Sequence, residues 1–237
     1  MRDRARAYVD NIRINTNVIE AAHKGGVVKI VAMGTTAIYS DLVPMPMAER
    51  DLWLGAPHAS EAPYGHAKRA MLAQLDAYKE QYGLEFAYAI STNLYGPHDR
   101  FDEQHGHVIP SLVSKFTRAV ERGDDVSVWG SGTARRDFLF ATDAASALLL
   151  LAEKGEGPVN MASGTTVSIR ECAEMMAEVA GYDREIIWDT GMPNGQMVRA
   201  YDIKRLSELG FKAQYDLKQG LEETFRWYRD NQAAARR

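Results

Sequence analysis

Apolar positions in the first part of the chain recur at helical intervals. Ala7, Ile12, Val18, Ile19 and Ala22 fall at broadly helical spacing over residues 4 to 23, and the "HKGG" that follows supplies glycines that tolerate positive φ and end a helix. "VVKIVAM", residues 27 to 33, is a β-branched run with no polar alternation, the pattern of a strand buried on both faces. Residues 40 to 62 hold prolines and no sustained period, which predicts a long loop, and a long loop in a compact domain more often serves function than not. A helix is predicted from Pro63 to about Gln81, because proline suits the first turn and Gly83 stops the run. "FAYAIS", residues 86 to 91, reads as a second buried strand. Further helices are predicted over 108 to 122, 143 to 153 and 169 to 180 and from about Leu217, with short strands at 126 to 129 and 136 to 140. Thr142 is placed to cap one of these helices, and Ser168 with Glu171, and Asp216 with Gln219, have capping-box spacing.

Strands alternating with helices predict an α/β fold, a parallel sheet with helices on both faces. Beyond about residue 110 the strands shorten and their spacing loosens. The expected division is therefore a first domain over residues 1 to 110 and a smaller α/β lobe over 111 to 237, interleaved with it.

Composition narrows the function classes. The 237 residues are 46% hydrophobic, enough for a substantial core, and carry a formal charge of -4 with both signs interleaved. No basic stripe exists for nucleic acid or an anionic membrane, and no apolar run approaches the length of a membrane span. The single cysteine, Cys172, excludes an internal disulfide and a thiolate zinc cage, so a reducing, cytoplasmic setting is expected. The short "AAARR" tail is expected to fray.

The chemistry centres on "EAPYGHAKRA", residues 61 to 70. Tyr64 and Lys68 are four apart at a helix start, so both side chains share one face. A nearby ammonium and the positive end of the helix dipole both favour the phenolate, and a tyrosine tuned below its ordinary pKa of about 10 can exchange a proton with a substrate oxygen. The plainer alternative is a half-buried aromatic beside a solvated lysine. Upstream, "GTTAIYS" places hydroxyls at the C-terminal end of a buried strand, where ligands of parallel sheets bind.

"VKIVAMGTTAIYS", "PYGHAK" 24 residues after Tyr39, "TNLYGPHDRF", "HVIPSL", "VWGSGTARRDFLFATD" and "LGF", in that order, resemble the extended short-chain dehydrogenase/reductases that act on nucleotide sugars, the NAD-dependent epimerase/dehydratase family, over about residues 8 to 231. Within it the pattern is most similar to the GDP-sugar epimerase-reductases. The resemblance implies a Rossmann-like fold and a GDP-4-keto-6-deoxy sugar as substrate. It makes Tyr64 the general acid and gives Lys68 to the nicotinamide ribose. Thr35 stands at the position of the family's catalytic serine, with Thr36 beside it on the substrate side. Asn93 and Leu94 border the nicotinamide, and Asn93 also the sugar. His107 matches a proton-moving histidine, whereas Ala37 stands where these enzymes carry a cysteine, which points to plain 4-keto reduction or another nucleotide-sugar conversion. Arg136, Lys115 and Trp129 are implied for the nucleotide and its diphosphate. The loop holding His98, Asp99, Asp102 and His105 has no metal-ligand spacing, and no metal is expected.

NAD or NADP is the implied cofactor. A dinucleotide enzyme needs a glycine-rich turn between its first strand and helix, and the chain shows none: "KGG" at 24 to 26 runs from helix into strand, and "GSGT" at 130 to 133 has no helix after it. By the resemblance the chain begins at about the fourth helix of the family, a truncated sheet lacking the first three strands, so cofactor binding is expected to be weakened or lost. The strand at 27 to 33 is then expected to leave an apolar edge open. The resemblance also implies a homodimer through helices 5 to 22 and 64 to 82. Three functions stay open: a nucleotide-sugar epimerase or reductase descendant, a cofactor-independent hydrolase reusing Thr35, Tyr64 and Lys68, and a non-catalytic nucleotide-sugar binder.

Overall fold

The computed structural model describes residues 3 to 104, 106 to 192 and 194 to 236. In chain order the elements are α1 (Arg4–Lys24), β1 (Lys29–Met33), α2 (Ala62–Tyr82), β2 (Glu85–Ser91), β3 (Asn93–Tyr95), α3 (Val108–Arg122), β4 (Ser127–Trp129), β5 (Arg135–Arg136), β6 (Phe138–Phe140), α4 (Ala141–Lys154), β7 (Gly157–Met161), β8 (Val167–Ser168), α5 (Ile169–Ala180), β9 (Ile187–Asp189), α6 (Lys204–Glu208) and α7 (Leu217–Asn231). The long loop after β1 contains 3-10 turns at Thr36–Ile38 and Glu49–Asp51. His105 lies outside the described residues.

The chain forms two compact units, one of Met1–Thr92, Ala145–Ala162 and Tyr201–Lys212, the other of Asn93–Ala144, Ser163–Ala200 and Ala213–Arg237. Segments of the first unit thus return well inside the part of the sequence expected to build the second lobe.

In the first unit β1, β2 and β7 make a parallel sheet in the order β1-β2-β7, with Ile30 opposite Phe86 and Ala89 opposite Val159. The central strand is the apolar one: Phe86 through Ile90 are all buried, as a strand covered on both faces requires. β1 is an edge of this sheet, and Val28, just before it, is 81% exposed. Helices α1 and α2 pack on each other, and Ile19, Met71, Leu72 and Leu75 join Phe86, Tyr88 and Ile90 in one core. Elsewhere along α1, Tyr8, Ile14 and Val18 are exposed.

In the second unit β3 pairs with β6 and β4 with β9, both parallel, while β5 pairs with β8 antiparallel. Around Phe101, Phe116, Met176, Leu221 and Tyr228 the helices α3, α5 and α7 close a separate core. Both predicted capping boxes form, at Ser168 with Glu171 and at Asp216 with Gln219. Thr142 is not a cap: α4 starts at Ala141, straight out of β6, and puts Thr142 inside its first turn. The tail is likewise held rather than frayed as far as Arg236, whose carbonyl accepts the Phe101 N–H at 2.8 Å. Among the described residues no helix is long and apolar enough to cross a membrane.

Candidate active site

The turn after β1 and the first two turns of α2 bring Thr35, Tyr64 and Lys68 together in the first unit. Thr35 caps the 3-10 turn, its hydroxyl accepting the Ala37 N–H at 3.2 Å, and the Thr35 side chain lies near enough to Tyr64 to act on its pKa. Lys68 donates to the Met33 carbonyl at 3.0 Å, and its ammonium stands 5.9 Å from the centre of the Tyr64 ring. Thr36 is buried within the same turn, as is Ala37. The strand end is fitted closely to the helix through Tyr88. Its ring lies where a side chain on Gly34 would go, and its hydroxyl donates to the Lys68 carbonyl at 2.9 Å.

The phenol is not tuned downward here. Burial raises the Tyr64 pKa, the Thr35 side chain lowers it by less, and Glu61 adds to the rise, while burial lowers Lys68. Desolvation disfavours both charged forms and outweighs the attraction that i, i+4 spacing alone would suggest. The pair therefore holds its proton on the phenol at neutral pH, which suits an acid.

The second unit supplies a cavity of about 210 Å³ between α3, β4 and the loop before α3. Its walls include Lys115, Trp129 and Arg136, three of the residues singled out in the sequence, with Val108, Leu112 and Val128 as an apolar side. Trp129 is 52% exposed, and the Lys115 ammonium lies 6.0 Å from its ring while donating to the Ser127 carbonyl at 2.8 Å. Burial lowers the Lys115 pKa. Arg136 is half-buried and spends one Nη1 hydrogen on the Arg135 carbonyl at 2.8 Å. A flat ring with cationic groups at its margin suits a nucleoside diphosphate.

Sequence reasoning missed Asn194 and Glu103 in this cavity. Asn194 accepts the Ser131 N–H at 2.8 Å and closes the "GSG" turn, and Glu103 is paired with Arg118 at 3.0 Å. The signal was weak: both are far from Trp129 in sequence, and only the Asn-Gly pair at 194 and 195 marks a turn. Asn93 donates to the Asp137 carbonyl at 2.9 Å and Leu94 sits half-buried beside it in β3. His107 occupies the extended position before α3, exposed, with its side chain making no cap. Among the described residues no group of His, Cys, Asp or Glu side chains is arranged to hold a metal ion.

NAD(P) fits these residues in part. Tyr64 and Lys68 are half-buried, adjacent and able to meet a ribose. The pyrophosphate is another matter: no helix among the described residues follows a strand through a glycine-rich turn, since α2 comes after a long loop and α4 directly after β6.

Residues 1 to 162 match the model of the NAD dependent epimerase/dehydratase family. A probable GDP-L-fucose synthase 1 of Oryza sativa subsp. japonica is 37% identical over 231 residues, 96% of this chain and 70% of that protein. The GDP-L-fucose synthase of Escherichia coli (strain K12) is 36% identical, over 94% of this chain and 73% of its own length. Among solved structures, a GDP-L-fucose synthetase from Naegleria fowleri bound to NADP superposes with a TM-score of 0.94 at 29% identity, covering 99% of this chain and 76% of that one. A GDP-D-glycero-L-gluco-heptose synthase from Campylobacter jejuni gives 0.85 at 25%, covering 96% and 77%. With its Rossmann-like parallel sheet, its Tyr-x-x-x-Lys helix and this agreement along nearly the whole sequence, the chain belongs to the NAD dependent epimerase/dehydratase family.

Proposed function

We propose that the chain reduces the 4-keto group of a GDP-linked 6-deoxy sugar. The observation that carries this is the cluster of Thr35, Tyr64 and Lys68, a proton-bearing phenol beside a hydroxyl at a strand end with an ammonium one turn away. Thr35 orients the carbonyl oxygen and Tyr64 gives it a proton as the carbon becomes tetrahedral, while the Lys68 charge stabilises the phenolate left behind. NAD(P)H supplies the hydride when it is bound. Reduction is favoured over epimerisation because Ala37 has no exchangeable side-chain proton, which leaves His107 without the partner that the resemblance calls for.

The GDP assignment rests on the relatives' substrates together with the second-unit cavity. Trp129 offers the base a face, and Arg136 with Lys115 offers the diphosphate charge-assisted donors. Replacing Arg136 by leucine is expected to weaken binding of a GDP-linked sugar about tenfold or more, measured by isothermal titration. Equal affinity for the two proteins would remove the diphosphate role, and binding without any turnover would reduce the chain to a binder. The same titration with NADPH tests cofactor binding: residues 1 to 237 on their own are expected to bind it weakly, and a dissociation constant of about 1 μM or tighter overturns that.

The exposed Tyr8, Ile14 and Val18 of α1, on a helix that packs beside α2, support a homodimer through these two helices. Sedimentation equilibrium at micromolar concentration should return twice the chain mass of 26.4 kDa, and a single-chain mass would refute the dimer.

A further inference from the structure

Next to Lys68, facing the interior, lies an arginine that neither the sequence motifs nor the proposed chemistry uses. Arg69 is only 8% exposed. Its Nε donates to the Ile38 carbonyl at 2.8 Å and its Nη1 to the Gly55 carbonyl at 2.7 Å, while Nη2 is buried with no hydrogen-bond partner. The guanidinium carbon stands 5.8 Å from the Trp53 ring centre. Burial alone acts on its pKa, downward, with no carboxylate pulling it back. An uncompensated buried charge is a costly way to fill a core position, and methionine or leucine would serve stability better.

What Arg69 grips explains its presence. Ile38 ends the 3-10 turn that Thr35 caps; inside that turn the Ile38 N–H bonds the Thr35 carbonyl and the Tyr39 N–H bonds the Thr36 carbonyl, so the segment moves as one body. The same turn meets α2 at a second point, one helical turn earlier. There Gly65 comes so near the Ala37 carbonyl oxygen that a methyl group on it would lie well inside contact distance. Gly65 and Arg69 are four apart on α2, as are Tyr64 and Lys68, and each member of the first pair directly follows one of the second. The helix therefore carries two adjacent stripes about 100° apart, one bearing the phenol and ammonium and one docking the turn that bears the hydroxyl.

We propose that Arg69 is a positioning residue, which holds the Thr35–Tyr39 turn against α2 and thereby sets the Thr35 hydroxyl against the Tyr64 phenol. Its catalytic consequence rests on the proton-handling roles given above to Thr35 and Tyr64. Its docking consequence does not.

Two measurements on the full chain test it. In Arg69→Met, which keeps the bulk and removes the donors, hydrogen exchange at the Ile38 and Tyr39 amides should quicken about tenfold or more, since their turn loses its clamp. Turnover of the GDP-linked keto sugar should fall about 30-fold with KM within about twofold, because misplacement of a reacting group costs the transition state and not substrate binding. The alkaline limb of the rate should also move to higher pH, because the effect of the Thr35 side chain that lowers the Tyr64 pKa is lost. Arg69→Lys, with one donor left, should recover part of the turnover and of the protection, and it serves alone if the methionine variant fails to fold. Unchanged exchange in either variant overturns the proposal, and so does a fall in turnover that comes entirely through KM. An unmodified chain without turnover would sink the reductase function, while the exchange rates would still decide whether Arg69 docks the turn.

Discussion

Tyr64→Phe is expected to lower turnover of the GDP-linked keto sugar by about 1,000-fold, within the range typical of removing a general acid. The substitution keeps the ring and deletes one oxygen at the edge of the core, where Tyr64 is half-buried with the Thr35 side chain nearby. Stability should change by less than about 1 kcal/mol, the net worth of one hydrogen bond. KM should hardly move, because the base and diphosphate contacts proposed at Trp129 and Arg136 belong to the other unit and are untouched. A loss confined to kcat is the mark of an interaction made in the transition state. The pH profile follows from the direction of the shift. Burial raises the phenol above its ordinary value of about 10, so an acid role predicts a rate that is level through neutral pH and declines only in strong alkali, where the phenol gives up its proton. Steady-state kinetics of the purified variant decide it, and a Tyr64→Phe protein retaining a tenth of wild-type turnover would take the proton-donor role away from this residue.

The sequence carried more of the site's residues than of its energetics. Tyr64 and Lys68 were legible because helical spacing is a local property, and so was Thr35, at a strand end marked by a β-branched run. The direction of the phenol's shift was not, since it depends on how much protein closes over the ring, and that cover comes from segments distant in sequence. Arg69 left a trace that composition rules discount: Gly65, Arg69 and Leu72 share the buried face of α2, so an arginine stands where spacing calls for an apolar residue. The capping boxes at Ser168 and Asp216 were readable for the same reason as the helices. Thr142 was misjudged because a strand running directly into a helix leaves no turn to cap. The strand Gly157–Met161 was not anticipated, since glycine and proline at its start are poor strand formers; β7 is an edge of its three-stranded sheet, where a proline at the strand start costs no ladder hydrogen bond. Asn194 and Glu103 reach the cavity wall only through the tertiary fold, and no periodicity announces that.

Asp137, the residue after Arg136, gives the second large expected effect, and it is one of stability. Its carboxylate is fully buried and accepts the Ser163 N–H on one oxygen and the Gly164 N–H on the other, each at 2.9 Å, so one side chain ties the turn after β7 to the start of β6. Asp137→Asn keeps one acceptor and turns an NH2 group toward the second amide, which costs about 2 kcal/mol for a buried donor left unmatched. That cost should depend on pH. Burial pushes the carboxyl up to about 6, outweighing the hydrogen bonds that lower it, against an ordinary value of about 3.9. A folded-state pKa raised for an acid means that the native protein binds the proton more tightly than the unfolded chain. The stabilising contribution is then fullest below about pH 4 and fades as pH rises through about 6. Wild type should therefore lose about 1.4 kcal/mol through this group between pH 5 and pH 8, a loss the asparagine variant cannot show. Urea unfolding of both proteins should find the substitution costing about 3.5 kcal/mol at pH 5 and about 2 kcal/mol at pH 8. A difference that is the same at the two pH values, or larger at pH 8, would mean that the hydrogen bonds from the turn dominate over desolvation and hold the Asp137 carboxyl at or below its ordinary value.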